Sequence, residues 1–142
     1  MSTAANKAVV RRYLEGSAGG RIDHLDEVLA PDYRSSLPGW PPLDREGDKQ
    51  MVLAFYAGFP DLRPRIEAQL AEGACVVTRV TWQGTHTGPF QGIPPTGKAA
   101  SMPVIRTDRI QEGRIVESWV QFDAFGLMQQ LGIIPSPQGA TA

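Results

Sequence analysis

Residues 101–132 read SMPVIRTDRI, QEGR, IVESWVQFD and AFGLMQQLG in succession. The first and third segments are rich in β-branched and aromatic residues, and Gly113 between them supplies the positive-φ residue that a tight connection needs. This is the pattern of a β-hairpin. After it, Asp123 stands as a helix N-cap, Phe125, Leu127, Met128 and Leu131 recur at helical spacing, and Gly132 falls at a left-handed C-cap. The stretch therefore predicts a hairpin feeding a short terminal helix.

Successive side chains of a strand point to opposite faces, so this alternation decides which groups share a surface. Val104, Arg106 and Asp108 fall on one face. On the return strand Val116, Ser118, Val120 and Phe122 form one set and Ile115, Glu117, Trp119 and Gln121 the other. A three-residue turn over 112–114 puts Arg106 opposite Val120 and Asp108 opposite Ser118, and a bulge at the turn would shift that register.

At 142 residues the chain suits one domain, expected over 1–132, with a loose tail over 133–142. With 14 basic and 15 acidic residues there is no broad basic surface for nucleic acid or an anionic membrane. No apolar run approaches the roughly 20 residues of a membrane span, and MSTAANKAVVRR lacks the apolar core of a signal peptide. A cytoplasmic location is expected. Cys75 is the single cysteine, which excludes an internal disulfide, and beside Val76 and Val77 it reads as a buried strand residue.

Upstream, residues 4–15 put Val9, Val10, Tyr13 and Leu14 on one helical stripe ended by Gly16. A second short helix is expected over 22–29, stopped by Pro31. Residues 32–44, with Tyr33 and Trp40, read as an ordered loop, and a third helix over 47–57 carries Met51, Val52, Phe55 and Tyr56. Beyond Phe59 the period changes to two: LRPRIEAQL alternates as a half-exposed strand, Glu72 and Gly73 turn the chain, and residues 75–85 form the next strand. Three helices, then four strands and a terminal helix, predict an α+β fold with an antiparallel sheet and helices on one face.

Several apparent motifs fail on chemistry. Gly92 to Lys98 has the spacing of a phosphate-binding loop, but Ala99 stands where Ser or Thr is needed, Pro94 and Pro95 remove N–H donors, and no helix follows. It reads as a rigid turn. His24 and His86 have no cysteine near them and give no metal-ligand spacing. His24 reads as solvated; His86, ending a strand, is either a structural hydrogen-bonding group or an acid/base group.

Phe59-Pro60-Asp61-Leu62, Gly84-Thr85-His86-Thr87-Gly88, the Gly92–Lys98 run, Gly113-Arg114-Ile115-Val116-Glu117 with Trp119 and Asp123, and Gln130-Leu131-Gly132 occur in this order. Together they resemble the SnoaL-like polyketide cyclase family over about residues 5–132. The resemblance implies a cone-shaped α+β barrel, in which a curved antiparallel sheet wraps around N-terminal helices and encloses one apolar cavity. It also implies ring closure of an anthracycline precursor by intramolecular aldol condensation, without metal or cofactor. That chemistry needs a base beside a carbonyl and a donor for the enolate oxygen. The family's histidine and catalytic aspartate stand at Arg106 and Val120 here, so both are absent. The similar limonene epoxide hydrolase triad is incomplete too, with Arg79 present but its carboxylate positions at Thr81 and Val120.

On the expected cavity face this leaves Arg79, Thr81, Arg106, Asp108 and Ser118, lined by Tyr33, Trp40, Tyr56, Phe59, Val104, Val120 and Phe122. Asp108 could serve as base with Arg106 as oxyanion donor, or the two could form a salt bridge. Asp123 is an N-cap or a further catalytic carboxylate. Three functions fit a polycyclic small-molecule substrate: a cyclase-like enzyme, an anthracycline C-1 hydroxylase-type enzyme with a reductase partner, or a binding protein without chemistry. Ile105, Ile115 and Trp119 on the outer sheet face predict a homodimer.

Overall fold

The computed structural model describes residues 2–135 and 137 of the chain. Helices α1 (Thr3–Gly16) and α2 (Leu25–Val28) precede strand β1 (Leu29–Ser36). Helix α3 (Arg45–Gly58) follows, then strands β2 (Arg63–Glu72), β3 (Cys75–Thr85), β4 (Ala99–Gln111) and β5 (Arg114–Phe122), and helix α4 (Ala124–Gln130). The strands form one sheet in the order β1-β5-β4-β3-β2. The fold is the expected cone-shaped α+β barrel, with one topological difference.

That difference is β1, which the sequence reading took as the end of a helix and a loop. Second-helix character lasts a single turn, and the chain then runs parallel to β5, with Ser35 opposite Ser118. The sheet is therefore mixed, and only β2 to β5 form the antiparallel meander. Pro31 lies where the register between β1 and β5 is interrupted, on an edge strand, the one place a sheet tolerates a residue that cannot donate. Tyr33 and Ser35 alternate inward all the same, while Arg34 and Ser36 face out.

The β4–β5 hairpin reaches the expected register by another route. Its turn holds two residues, Glu112 and Gly113, with φ of 52° and 76°. Both positive values suit the right-handed twist of the flanking strands. A bulge between Arg109 and Ile110 then restores Arg106 opposite Val120 and Asp108 opposite Ser118. The bulge also reverses the faces near the turn, so Ile115 pairs with Ile110 and lies in the core rather than on the outer face. At the far end Asp123 caps α4 by accepting from the Gly126 amide at 2.8 Å. Gly132, at φ 78°, and the Ile133 amide, bonded to the Met128 carbonyl at 2.9 Å, close it.

Helix α1 buries Asn6, Val10, Tyr13 and Leu14, a stripe at helical spacing, against the sheet. Two core clusters result: one joins α1, α2 and the sheet around Val10, Tyr33 and Val80, and the other joins α3, α4 and the sheet around Phe59, Phe90 and Leu127. The Gly92–Lys98 run is a turn leading directly into β4, with His86 and Lys98 bonded across its base. No helix among the described residues is long and apolar enough to cross a membrane. The expected tail over 133–142 falls mostly outside the described residues.

At Gly88 a Cβ would sit 1.9 Å from the Ala57 carbonyl oxygen. Gly88→Ala should lower the unfolding free energy by about 1–3 kcal/mol through forced backbone displacement, read as a melting temperature several degrees lower in a circular-dichroism scan.

Candidate active site

Arg106 and Asp108 are the buried pair the sequence placed two apart on one strand. Arg106 is 5 % exposed and Asp108 0 %. The guanidinium donates through Nε to Oδ2 at 2.9 Å and through Nη2 to Oδ1 at 2.8 Å, a bidentate pairing. Nη2 also donates to the Ser118 hydroxyl at 3.1 Å, which in turn donates to Asp108. Tyr33 on β1 donates to the same Ser118 oxygen at 2.9 Å. Burial weakens the hold of Arg106 on its proton, but the charge and hydrogen bonds of Asp108 outweigh that, and its pKa lies well above the ordinary value.

The opposite face of Arg106 covers the Tyr13 ring, 4.4 Å from its centroid. Tyr13 donates to Asp48 Oδ2 at 2.7 Å. Asp48 is 1 % exposed, and its pKa is raised from 3.8 to about 6. Burial is the main cause; the Tyr13 hydrogen bond and the Arg106 charge pull downward, while the Asp108 charge adds a smaller upward push. Burial likewise raises Tyr13 and Tyr33, so both phenols stay protonated donors.

Asp48, Tyr13 and Arg106 form one polar corner of a largely apolar chamber of about 100 Å³, which Ser17 also lines. Met51, Val52, Phe55 and Tyr56 of α3 face Trp82, Met102, Val104, Val120 and Phe122 of the sheet across it. Leu37 and Val120 also wall a more open cleft of about 410 Å³, between residues 36–42 and β5, that holds Trp40 and Trp119.

The expected site residues divide accordingly. Tyr56, Val104, Arg106, Val120 and Phe122 line the chamber, and Trp40 lies in the adjoining cleft. Asp108, Ser118 and Tyr33 are buried behind the wall, so Asp108 orients Arg106 and does not itself face the chamber. Arg79 and Thr81 are on the outer sheet face, because the inward residues of β3 are Val76, Thr78 and Val80; Thr81 donates there to Glu67 at 2.9 Å. Cys75 shares that outer parity and is exposed, not buried.

His86 is fully buried but outside the chamber wall. Its Nδ1 accepts the Thr96 amide at 3.2 Å and its ring stacks on Phe59, which also stays in the core. Asp123 is exposed and engaged as the α4 cap. Neither residue is on the chamber wall, and His86 Nε2 has no hydrogen-bond partner among the described residues. Asp48, which the sequence reading passed over, carried a signal: it stands three, four and seven residues before Met51, Val52 and Phe55, a carboxyl on an apolar helical stripe.

A sequence profile described as SnoaL-like polyketide cyclase matches residues 7–131. The chain belongs to the SnoaL-like polyketide cyclase family. Among relatives, the aklanonic acid methyl ester cyclase DauD of Streptomyces sp. (strain C5) is 30 % identical, over 92 % of this chain and 84 % of that one. The crystal structure of IdmH, a candidate polyketide cyclase from Streptomyces antibioticus, is 32 % identical, superposes with a TM-score of 0.81, and covers 89 % of this chain and 98 % of IdmH. AclR, a candidate hydroxylase from Streptomyces galilaeus, shares the fold at a TM-score of 0.88 and 24 % identity, over 99 % of this chain and 88 % of AclR. Within this SnoaL-like fold the polar corner joins α1, α3 and β4.

Removing one member of a buried ion pair leaves the other uncompensated. Asp108→Ala should therefore destabilise by about 3–5 kcal/mol, and the double variant Arg106→Met/Asp108→Leu should recover most of that loss. Urea denaturation of the two variants and the wild type checks both values.

Proposed function

We propose that this SnoaL-like protein is a cofactor-free enzyme acting on a hydrophobic, ring-bearing polyketide-type substrate, with Asp48 as the general base. The observation that carries the reading is a buried carboxyl, with a pKa near 6, on the wall of an apolar chamber. Such a group is ionised at neutral pH yet basic enough to take a carbon-bound proton.

In the proposed reaction Asp48 removes a proton from a carbon beside a substrate carbonyl. The C–H electron pair forms the enolate, whose oxygen gathers negative charge. Arg106 spends Nε and Nη2 on Asp108 and Ser118, and its Nη1 makes no hydrogen bond with a described residue. That donor, held rigid by Asp108, meets the oxyanion. The enolate carbon then attacks a second carbonyl of the same molecule, and the new alkoxide recovers the proton from Asp48. Atoms and charge balance, and the product is an isomer of the substrate.

A tetracyclic precursor exceeds the chamber, which matches a single small ring in scale. The neighbouring cleft shares Leu37 and Val120 with it, so displacement of those two side chains would join the spaces and lodge the remaining rings beside Trp40. Val120 stands where the family's aspartate is expected, which favoured a hydroxylase-type alternative with a reductase. Asp48 restores a carboxyl to the same chamber and favours acid/base chemistry instead. A binding role without chemistry would give Asp48 no task that outweighs its burial.

We further propose a homodimer through the outer sheet face. Leu70, Val77, Thr107 and Trp119 lie opposite one another in a single cross-strand row, with Leu70 72 % exposed and Ile105 in the adjacent row. Sedimentation at micromolar concentration should give twice the chain mass, and Trp119→Glu should give the monomer; a wild-type monomer removes the proposal.

The assay for catalysis is conversion of aklanonic acid methyl ester, the substrate named for DauD, to a product of unchanged mass, with no metal, nicotinamide or reductase added. Its kcat/KM should rise with pH through about 6 and then level off. Asp48→Asn should lower kcat by about 10²–10⁴-fold. Between about pH 4 and pH 6 the folded protein holds a proton at Asp48 that the unfolded chain has released, so this group lowers stability progressively as pH rises through that window. Asp48→Asn should then melt higher than wild type at pH 8, by a margin corresponding to at most about 3 kcal/mol, and the margin should vanish near pH 4. An active Asp48→Asn enzyme would remove Asp48 as the base.

A further inference from the structure

The cleft of about 410 Å³ beside the chamber has no charged residue in its lining, and two of the chain's three tryptophans, Trp40 and Trp119, stand in it. Among the described residues neither indole stacks on an aromatic ring or takes a cation on its face. Trp40 is half-buried yet packs in neither core cluster, and Trp119 is 41 % exposed. The core therefore gives no reason for two large apolar rings on one open cleft. Local hydrogen bonds fix its shape. Ser35 and Leu43 exchange N–H···O=C bonds of 2.9 and 3.0 Å at the base of the segment between β1 and α3. At the tip the Trp40 amide donates to the Leu37 carbonyl at 3.1 Å across Pro38 and Gly39, with Gly39 at φ 83°, the pattern of a type II turn. Pro41 and Pro42 then restrict the chain further. On the other wall β1 makes its last pair with β5 at Ser36 and Trp119, and β5 runs on to Phe122 with no described strand on that side.

We propose that this cleft is itself a binding site, for a planar, uncharged aromatic ring system bearing ring oxygens. The occupant follows from the lining. Indole faces stack on flat rings, and walls without charge suit a neutral ring better than an ionic group. The free edge of β5 and the Gln121 side chain offer polar groups to carbonyl or hydroxyl oxygens of the ring. The volume falls in the range of small-molecule sites, whereas the chamber matches one small ring. The cleft is also continuous with the candidate active site, since Leu37 and Val120 wall both spaces. Because the turn and the prolines already hold the walls in place, stacking there costs little ordering. The assignment deepens the reading of the substrate as ring-bearing, but it does not depend on Asp48. Trp119 also stands in the row proposed as the dimer face, so Trp40, which is outside that row, carries the test.

The indole N–H resonances of Trp40, Trp82 and Trp119 are followed by nitrogen–proton NMR as anthraquinone-2-sulfonate is added. Camphor-10-sulfonate, equally charged but neither flat nor aromatic, is the control, and the Trp40→Phe and Trp119→Phe variants assign the peaks. The planar probe should move the Trp40 resonance saturably and leave that of Trp82, on the chamber wall, in place; camphor-10-sulfonate should move neither. In titration calorimetry Trp40→Ala should bind the planar probe roughly three- to tenfold more weakly, and Trp40→Phe should keep most of the affinity. Both variants should melt close to wild type, because Trp40 is outside the core clusters. An unmoved Trp40 resonance, equal binding of camphor-10-sulfonate, or full affinity in Trp40→Ala overturns the assignment. A planar probe that moves Trp82 alone does so too, while leaving the chamber as the ring site. Asp48→Asn should bind the planar probe within about twofold of wild type. A protein that closes no ring yet binds the probe at Trp40 keeps the cleft and loses only the reaction.

Discussion

A charged guanidinium inside an apolar sheet is tolerable only where its charge is met, and in this fold that condition organises the interior. Arg106 is paired in bidentate fashion with Asp108 and also meets Ser118 and the Tyr13 ring, while its Nη1 makes no hydrogen bond with a described residue. Each partner comes from a different element. Ser118 ties β5 to the pair, Tyr33 ties the parallel edge strand β1 to Ser118, and Tyr13 brings α1. Through Tyr13 the same network reaches Asp48 on α3. One buried charge thus sets how three strands and two helices meet.

Two buried carboxyl groups share this network and differ in what surrounds them. Both oxygens of Asp108 are saturated by Arg106 and Ser118, and the residue lies behind the chamber wall. Asp48 is on the wall, keeps the Tyr13 hydroxyl as its hydrogen-bonded neighbour, and has its pKa lifted by burial into the range where a carboxyl both ionises and accepts protons near neutrality. The positioning group and the proposed base are of the same residue type and equally buried, and only their partners separate them.

Family membership settles the fold, and the departures within it carry the individuality of this chain. With Val120 on the chamber wall where an aspartate is expected, the carboxyl in that space comes from α3 rather than β5. Under the proposed function the substrate would present its acidic carbon to the helix side of the polar corner, and the donor held by the sheet would meet the enolate oxygen in that same corner.

Strand and helix periodicity, read from the chain alone, determined the α+β class and the β4–β5 hairpin and marked Asp123 as a cap, because each follows from local spacing of side chains, while the expected register beside Ser118 came from a two-residue turn offset by a bulge. Periodicity also held the mark of Asp48, a carboxyl on the Met51–Phe55 stripe, but a pattern of spacing cannot say whether a helical face meets solvent or a cavity. Tertiary structure decided the rest. Strand β1 exists because β5 offers an edge that local propensity around Pro31 does not reveal, and Arg79 and Thr81, expected on the cavity face, stand outside because the inward packing of Val76 and Val80 takes the other parity of β3. The bulge at Arg109 turned Ile115 inward, and only the assembled barrel shut Asp48 and Tyr56 away from water, since burial is a property of the whole packed chain and not of any segment of it.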